Sequence, residues 1–312
     1  MSAPANFDAP PQADTPVLAF LGAGLMARPM VERLLAAGHA VHVWNRSRDK
    51  LAPLVERGAV ALATPREAAE AADVVLCCLL DAAAVEHVAF GDDGALSGNM
   101  GDASLGGGTR ARVFVDHSSI RPDATRRLAD RARREAGVEW IDAPVSGGIA
   151  GAAAGTLAVM CGGDPTAFGR IEPLVRAYAA NVTLLGPAGA GQTAKLINQV
   201  LVAANIATIA EAVSLARAAG IDAGRLPAAL AGGWADSKPL QVFVPRMVDG
   251  WDAPIGALST MLKDVDTAMD LSRQAGSPLP MAALAQQLLR LMAARGHADD
   301  DPAVLARLYR PD

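Results

Sequence analysis

The chain has 312 residues, 51% hydrophobic and 20% charged, with a formal net charge of −5. That length exceeds a usual single core and asks for one large or two medium domains. The composition excludes a disordered chain, and the acidic balance excludes the basic face of a nucleic-acid-binding protein.

Residues 1–15 lack a basic stretch followed by an apolar core, so they are expected to form a disordered leader rather than a signal peptide. From Val17 onward short apolar runs alternate with helix-like segments. VLAFLG precedes a helix reaching about Ala37, AVHVWN precedes SRDKLAPLVERG, and DVVLCCLL precedes DAAAVEHVAF. VFVDHSS then leads into RPDATRRLADRARREAG, and EWID follows. Continuous apolar runs bounded by turns suit strands buried on both faces, and this spacing gives βαβ units, hence a doubly wound parallel sheet. The Gly-rich GDASLGGGTR reads as a surface loop. After Asp142 come a small-residue segment, the strand-like LAVMCGG, a helix from about Pro165 to Tyr178 and the short strand VTLLG.

From Ala190 no strand is expected. A long apolar helix runs to about Ala219, and amphipathic helices follow. It carries Asn198, Gln199, Asn205 and Glu211, which argues for a buried core element rather than a membrane span. The chain is thus expected to divide into a leader (1–15), a dinucleotide-binding Rossmann half (16–188) and an all-helical half (189–312).

Cys77, Cys78 and Cys161 are odd in number, and the first two would point to opposite faces of one strand. The five histidines (39, 42, 87, 117, 297) are scattered without metal-ligand spacing. Neither a disulfide framework nor a metal site is expected, and a reducing cytoplasm is the simpler setting.

GAGLMA, residues 22–27, sits where the first strand meets the first helix and fits G-x-G-x-x-A. Gly22 permits the tight turn, and Gly24 lets a pyrophosphate approach the backbone. Leu25 and Met26 lead into a helix N-terminus that supplies N–H donors. An ordinary Gly-rich turn is the alternative, but the position within a βαβ series favours a dinucleotide. Where NAD-binding chains usually place an acidic residue, this one has Asn45-Arg46-Ser47. Arg46 could pair a ribose 2′-phosphate and Ser47 could donate to it, so NADP is expected, with NAD possible. A solvated basic turn is the other reading.

Two further segments point to chemistry. DAPVSGG, residues 142–148, follows a strand end, where ligand crevices of open α/β sheets form. Ser146, Gly147 and Gly148 could offer a hydroxyl and bare backbone N–H groups to a small carboxylate, or form a plain Gly-rich loop. GAGQTAKLINQ, residues 189–199, opens the long helix and puts Lys195, Asn198 and Gln199 on one face. The chain has only four lysines (50, 195, 238, 263), and a proton-transfer residue cannot be arginine, whose pKa stays too high. Lys195 on an apolar helix would have its pKa lowered by desolvation; a lysine snorkelling at a helix end is the competing reading.

In this order and spacing the three motifs resemble the β-hydroxyacid dehydrogenase family. That family includes 3-hydroxyisobutyrate dehydrogenase, tartronate semialdehyde reductase and glyoxylate/succinic semialdehyde reductase. The resemblance runs from Val17 to about Arg290 and takes in GAAAGTLAVMCGG and a late LKD at Leu262 to Asp264. It implies a Rossmann-type sheet joined by a long helix to an all-α domain, with Lys195 as general acid/base aided by Asn198. It also implies a small carboxylate substrate, a homodimer or homotetramer formed through the helical half, and Ser119 and Lys263 beside the cofactor. Leu79-Leu80 stands where the family often has Leu-Pro. GGWADSKPLQ, residues 232–241, would approach the substrate, with Trp234 either a pocket wall or a buried core residue. Many relatives read K-x-x-N-N, with the second Asn helping to hold the substrate; here Gln199 takes that place and is the expected substrate-binding residue, which brings the motif closer to tartronate semialdehyde reductase. An imine reductase, with another proton donor in place of lysine, and a non-catalytic dinucleotide-binding module are the alternatives.

Overall fold

The computed structural model describes residues 16–97 and 111–309; the leader and the Gly-rich loop at 101–110 lie outside them. Two compact units divide between Lys195 and Leu196, inside the long helix Ala190–Ala218.

The first unit is built on one sheet. Its strands are β1 (Leu18–Leu21), β2 (Val41–Trp44), β3 (Val60–Ala61), β4 (Val74–Cys77), β5 (Val113–Asp116), β6 (Glu139–Asp142), β7 (Val145–Ser146), β8 (Leu157–Gly162) and β9 (Ala179–Gly186). They lie in the order β3-β2-β1-β4-β5-β6-β8-β7, with β9 on β8. From β3 to β6 every pairing is parallel, the dinucleotide-binding order 3-2-1-4-5-6. The apolar runs read as strands are buried along their whole length in β1, β4 and β5. Alternate residues feed two separate cores: Leu18 and Phe20 pack with Met30, Val31 and Leu34 of the first helix, Ala27–Ala36. Ala19 and Leu21 pack on the other face with Val85, Leu128 and Trp140. Helices on both faces are what a doubly wound sheet requires.

The far edge departs from the parallel expectation, since β8 runs antiparallel to β6 and β7 and parallel to β9. The small-residue segment after Asp142 also holds more structure than its composition suggests: β7, then the helix Gly148–Ala154.

The second unit is helical among its described residues. Ile206, Ala210 and Val213 of the long helix share a core with Phe243, Val244 and Met247 from Lys238–Asp249. Leu258 and Val265 from Leu258–Ala275 and Leu289 from Pro280–Met292 complete it. The long helix is apolar enough to cross a membrane by length and composition, but it contributes these core residues and 39% of its most apolar window is buried.

Candidate active site

The glycine loop is shaped by its own strand–helix junction. Gly22 has φ 108°, and a Cβ there would stand 2.6 Å from the carbonyl oxygen of Cys78, so the turn admits only glycine. Gly24 differs: its φ is not in the left-handed region, and a Cβ would meet nothing within 4 Å. The fold itself therefore does not demand a glycine at 24, whereas a phosphate seated on that backbone would. The helix Ala27–Ala36 has no acidic residue in its first turn to oppose such an anion. Leu25 is exposed and Met26 half-buried beside this turn. These features fit a dinucleotide.

Asn45 holds the loop to the end of β2. Its Oδ1 accepts from the Ala23 N–H at 2.9 Å and its Nδ2 donates to the Ser47 carbonyl at 2.8 Å. The Asn45 amide is thus committed to the scaffold, while Arg46 beside it is exposed and Ser47 half-buried. After β4, the Leu79 N–H donates to the Ser118 Oγ at 2.9 Å, while Leu80 is exposed. Of the adjacent serines in DHSSI, Ser118 is thus the buried scaffold residue, and Ser119 beside it is partly exposed.

Under these loops lies a buried polar layer that sequence reasoning missed. Asp116 and Asp142 close β5 and β6 and are register partners. Asp116 Oδ1 accepts from the Ser118 N–H at 2.9 Å and from the Cys77 thiol at 3.3 Å. Burial lifts the Asp116 pKa to about 6, against the Ser118 and Cys77 hydrogen bonds, and the Asp142 charge adds to the rise. His117 is held neutral: burial lowers its pKa to about 4. Because a carbonyl can only accept, its Nδ1 donates to Ala143 O at 2.7 Å, and its Nε2 accepts from the Tyr178 hydroxyl at 2.8 Å.

Asp142 governs the next helix. Its Oδ1 accepts from Gly189 N–H at 2.7 Å and its Oδ2 from Gln192 N–H at 2.8 Å, satisfying donors that a helix N-terminus leaves open. Burial raises its pKa to about 6, with the Gly189 and Gln192 N–H groups pulling the other way. Gln192, itself buried, donates to Ser118 O at 2.7 Å and accepts from the Ile120 N–H at 3.2 Å. The start of the long helix is thereby stitched to the ends of β5 and β6. Gly162 allows the approach, since a Cβ there would press on Asp142 Oδ1 at 2.7 Å. Lys195, half-buried, comes three residues after Gln192.

Directly after Asp142 in the chain, β7 brings Ser146 to a half-buried position, and Gly147 (φ 131°) and Gly148 (φ 65°) follow, both exposed. Their conformations again favour glycine and leave the backbone uncovered.

In the helical unit, Asn198 and Gln199 are half-buried on the long helix. Gln199 Nε2 donates to Asp264 Oδ2 at 2.8 Å, and Lys263 Nζ lies 3.3 Å from Asp264 Oδ1. Trp234 is fully exposed, so the reading of it as a buried core residue does not hold within this chain. Among the described residues, no group of three or more His, Cys, Asp or Glu side chains could hold a metal ion.

Comparison with known proteins agrees with this layout. Residues 17–186 match a family model described as the NAD binding domain of 6-phosphogluconate dehydrogenase. Residues 189–309 match one described as NAD-binding of NADP-dependent 3-hydroxyisobutyrate dehydrogenase. The chain is 39% identical over 292 residues to the 2-hydroxy-3-oxopropionate reductase of Escherichia coli K12, covering 93% of this chain and 96% of that one. Mycobacterium tuberculosis 3-hydroxyisobutyrate dehydrogenase, solved with L-serine, superposes with a TM-score of 0.81 at 30% identity, covering 95% of this chain and 100% of that one. A structure titled Psf3 in complex with NADP+ and 2-OPP gives a TM-score of 0.81 at 27% identity, covering 94% and 100%. With both halves matched along nearly their whole length, the chain belongs to the β-hydroxyacid dehydrogenase family of NAD(P)-dependent 3-hydroxyacid dehydrogenases.

Proposed function

We propose that the chain interconverts a small 3-hydroxy acid and its semialdehyde, with Lys195 as the general acid/base. The first candidate substrate is 2-hydroxy-3-oxopropionate, named in the E. coli relative, and 3-hydroxyisobutyrate is the second. The bound nicotinamide supplies or accepts the hydride. The observation that carries the reading is the anchoring of the Lys195 helix. Asp142 holds the start of that helix by two backbone N–H groups, and the proposed carboxylate loop Ser146–Gly148 follows Asp142 in the chain. A rigidly held lysine suits proton transfer, which depends on geometry before pKa.

In reduction, Lys195 as ammonium would donate its proton to the forming alkoxide; in oxidation, the neutral amine would take the hydroxyl proton. Ser146 Oγ and the Gly147 and Gly148 N–H groups would receive the substrate carboxylate, and Asn198 would orient the lysine or the substrate hydroxyl. Gly22 and Gly24 with the helix N-terminus would receive the pyrophosphate. Arg46 and Ser47 would take a 2′-phosphate, which favours NADP over NAD. The reading includes cytoplasmic residence and a homodimer or homotetramer, the latter supported by Ile197, Leu201 and Leu215, all exposed on the long helix.

The test is NADPH oxidation with tartronate, methylmalonate and succinic semialdehydes and glyoxylate, in wild type and Lys195→Ala. The variant should bind NADPH normally and lose about 10²–10⁴-fold in kcat. Near-normal turnover without the lysine would falsify the reading.

A further inference from the structure

Gln199 is a hydrogen-bonded link between a buried charge and its neighbour in the chain. Asp264, on the helix Leu258–Ala275, is nearly buried, and its Oδ2 receives Gln199 Nε2 at 2.8 Å. An ionised carboxylate only accepts, so Gln199 is obliged to turn its nitrogen toward Asp264 and its oxygen away. That oxygen, Oε1, receives Asn198 Nδ2 at 3.0 Å. The opposite orientation of Asn198 would set two amide oxygens against each other. The carboxylate thus dictates the orientation of two consecutive amides, the first directly and the second through the first.

We propose that Asp264 is a positioning residue of the active site: acting through Gln199, it fixes the Asn198 amide so that Asn198 Oδ1 is presented as an acceptor on the helix face shared with Lys195. The proposal rests on the reading of Lys195 as the proton-transfer residue. Asn198 follows Lys195 by three positions on one continuous helix, which places the two on one face. An acceptor there suits the chemistry, because the ammonium form of Lys195 and a substrate hydroxyl each carry hydrogen to be received. A nitrogen in its place would direct N–H groups at a donor. Lys263, 3.3 Å from Asp264 Oδ1, shares the charge but leaves Oδ2 to Gln199. Asp264 touches neither substrate nor reacting atoms in this scheme and sets only the sign of what Asn198 presents.

The experiment moves the charge along the chain of hydrogen bonds. In Asp264→Asn, residue 264 can donate as well as accept, so Gln199 can reverse and release Asn198. kcat should fall about tenfold to a hundredfold with the KM for NADPH unchanged, as loss of substrate-side geometry produces. Adding Gln199→Glu to Asp264→Asn should restore kcat to within about threefold, because a carboxylate at position 199 accepts from both residue 264 and Asn198. If the double variant is no better than Asp264→Asn, Asp264 acts by packing or by charge alone and the proposal is overturned. A second readout needs no turnover. The side-chain amide NMR resonances of Gln199 and Asn198, assigned by substitution, should be shifted and protected from exchange in wild type. They should move to solvent positions in Asp264→Asn. Solvent-like resonances in the wild type would overturn the relay even in an active enzyme, whereas an inactive wild type with protected amides would overturn the Lys195 reading and leave the relay standing.

Discussion

Gly22 and Gly24 separate what the fold demands from what a cofactor demands, and one pair of alanine substitutions tests the distinction. At Gly24 the added methyl meets nothing within 4 Å and the backbone is outside the left-handed region. Gly24→Ala should therefore leave the apo protein as stable or raise its stability by about 0.4–1 kcal/mol, the gain from a less flexible unfolded chain. In a domain of this size that is a rise of roughly 1–4 °C in Tm. The same methyl stands over the backbone where a pyrophosphate would sit. One or two charge-assisted hydrogen bonds would be lengthened or lost, worth about 1.5–3 kcal/mol and hence roughly tenfold to 150-fold in Kd. Gly22→Ala behaves oppositely. With φ 108° and the Cys78 carbonyl 2.6 Å from the new atom, the backbone must move, costing at least about 2 kcal/mol of stability even without ligand. Thermal melts of the apo proteins and NADPH fluorescence titration measure both quantities. A Gly24→Ala protein that melts several degrees lower yet binds NADPH like wild type would refute the assignment of Gly24 to the cofactor.

Arg46→Ala should raise the KM for NADPH at least about tenfold while changing the KM for NADH little, since a 2′-phosphate pairing is lost from one cofactor only; equal effects on both would remove Arg46 from phosphate recognition. Asp142→Ala strands the Gly189 and Gln192 N–H groups, so it should destabilise by about 2–5 kcal/mol and cut kcat as the Lys195 helix loosens, read by urea unfolding and steady-state kinetics. Asp116, whose folded pKa of about 6 lies above its ordinary 3.8, favours the protonated native state, so its contribution is present at low pH and is lost as pH rises through 6. Asp116→Asn cannot ionise, and its stability relative to wild type should therefore increase between pH 4 and pH 7, by about 3 kcal/mol at most. Urea midpoints that differ by a constant across that range would show the Asp116 carboxyl to be unshifted.

Local signals made the glycine loop, the strands with continuous apolar runs and the long helix readable. GAGLMA is contiguous, and its meaning depends only on the strand before it and the helix after it. β3 was not readable, because Val60 and Ala61 are both exposed and form no apolar run. The direction of β8 was also out of reach, since its apolar pattern is the same either way and only pairing with β6 and β7 decides it. At the site, Asn45 was found, but its two scaffold hydrogen bonds were not. Ser118 and Ser119 are neighbours of one residue type, and burial alone distinguishes them. Asp116, Asp142, Gln192 and Tyr178 were missed as a group because they are distant in the chain and meet only when β5, β6 and the long helix converge. Asp264 was visible in LKD, yet its tie to Gln199 spans 65 positions and leaves no periodic trace.

The neutral ring of His117 bears on how rate profiles of this protein are read. A kinetic pKa near 6 is habitually assigned to an imidazole, but the proton on His117 Nδ1 is committed to Ala143 O and its charging is driven down to about pH 4. Burial raises two carboxylates to about 6, Asp116 and Asp142 at the ends of β5 and β6, and Asp142 grips the start of the Lys195 helix. An acid limb at that pH can therefore record the tightening or slackening of the anchor that Asp142 makes at the start of the long helix.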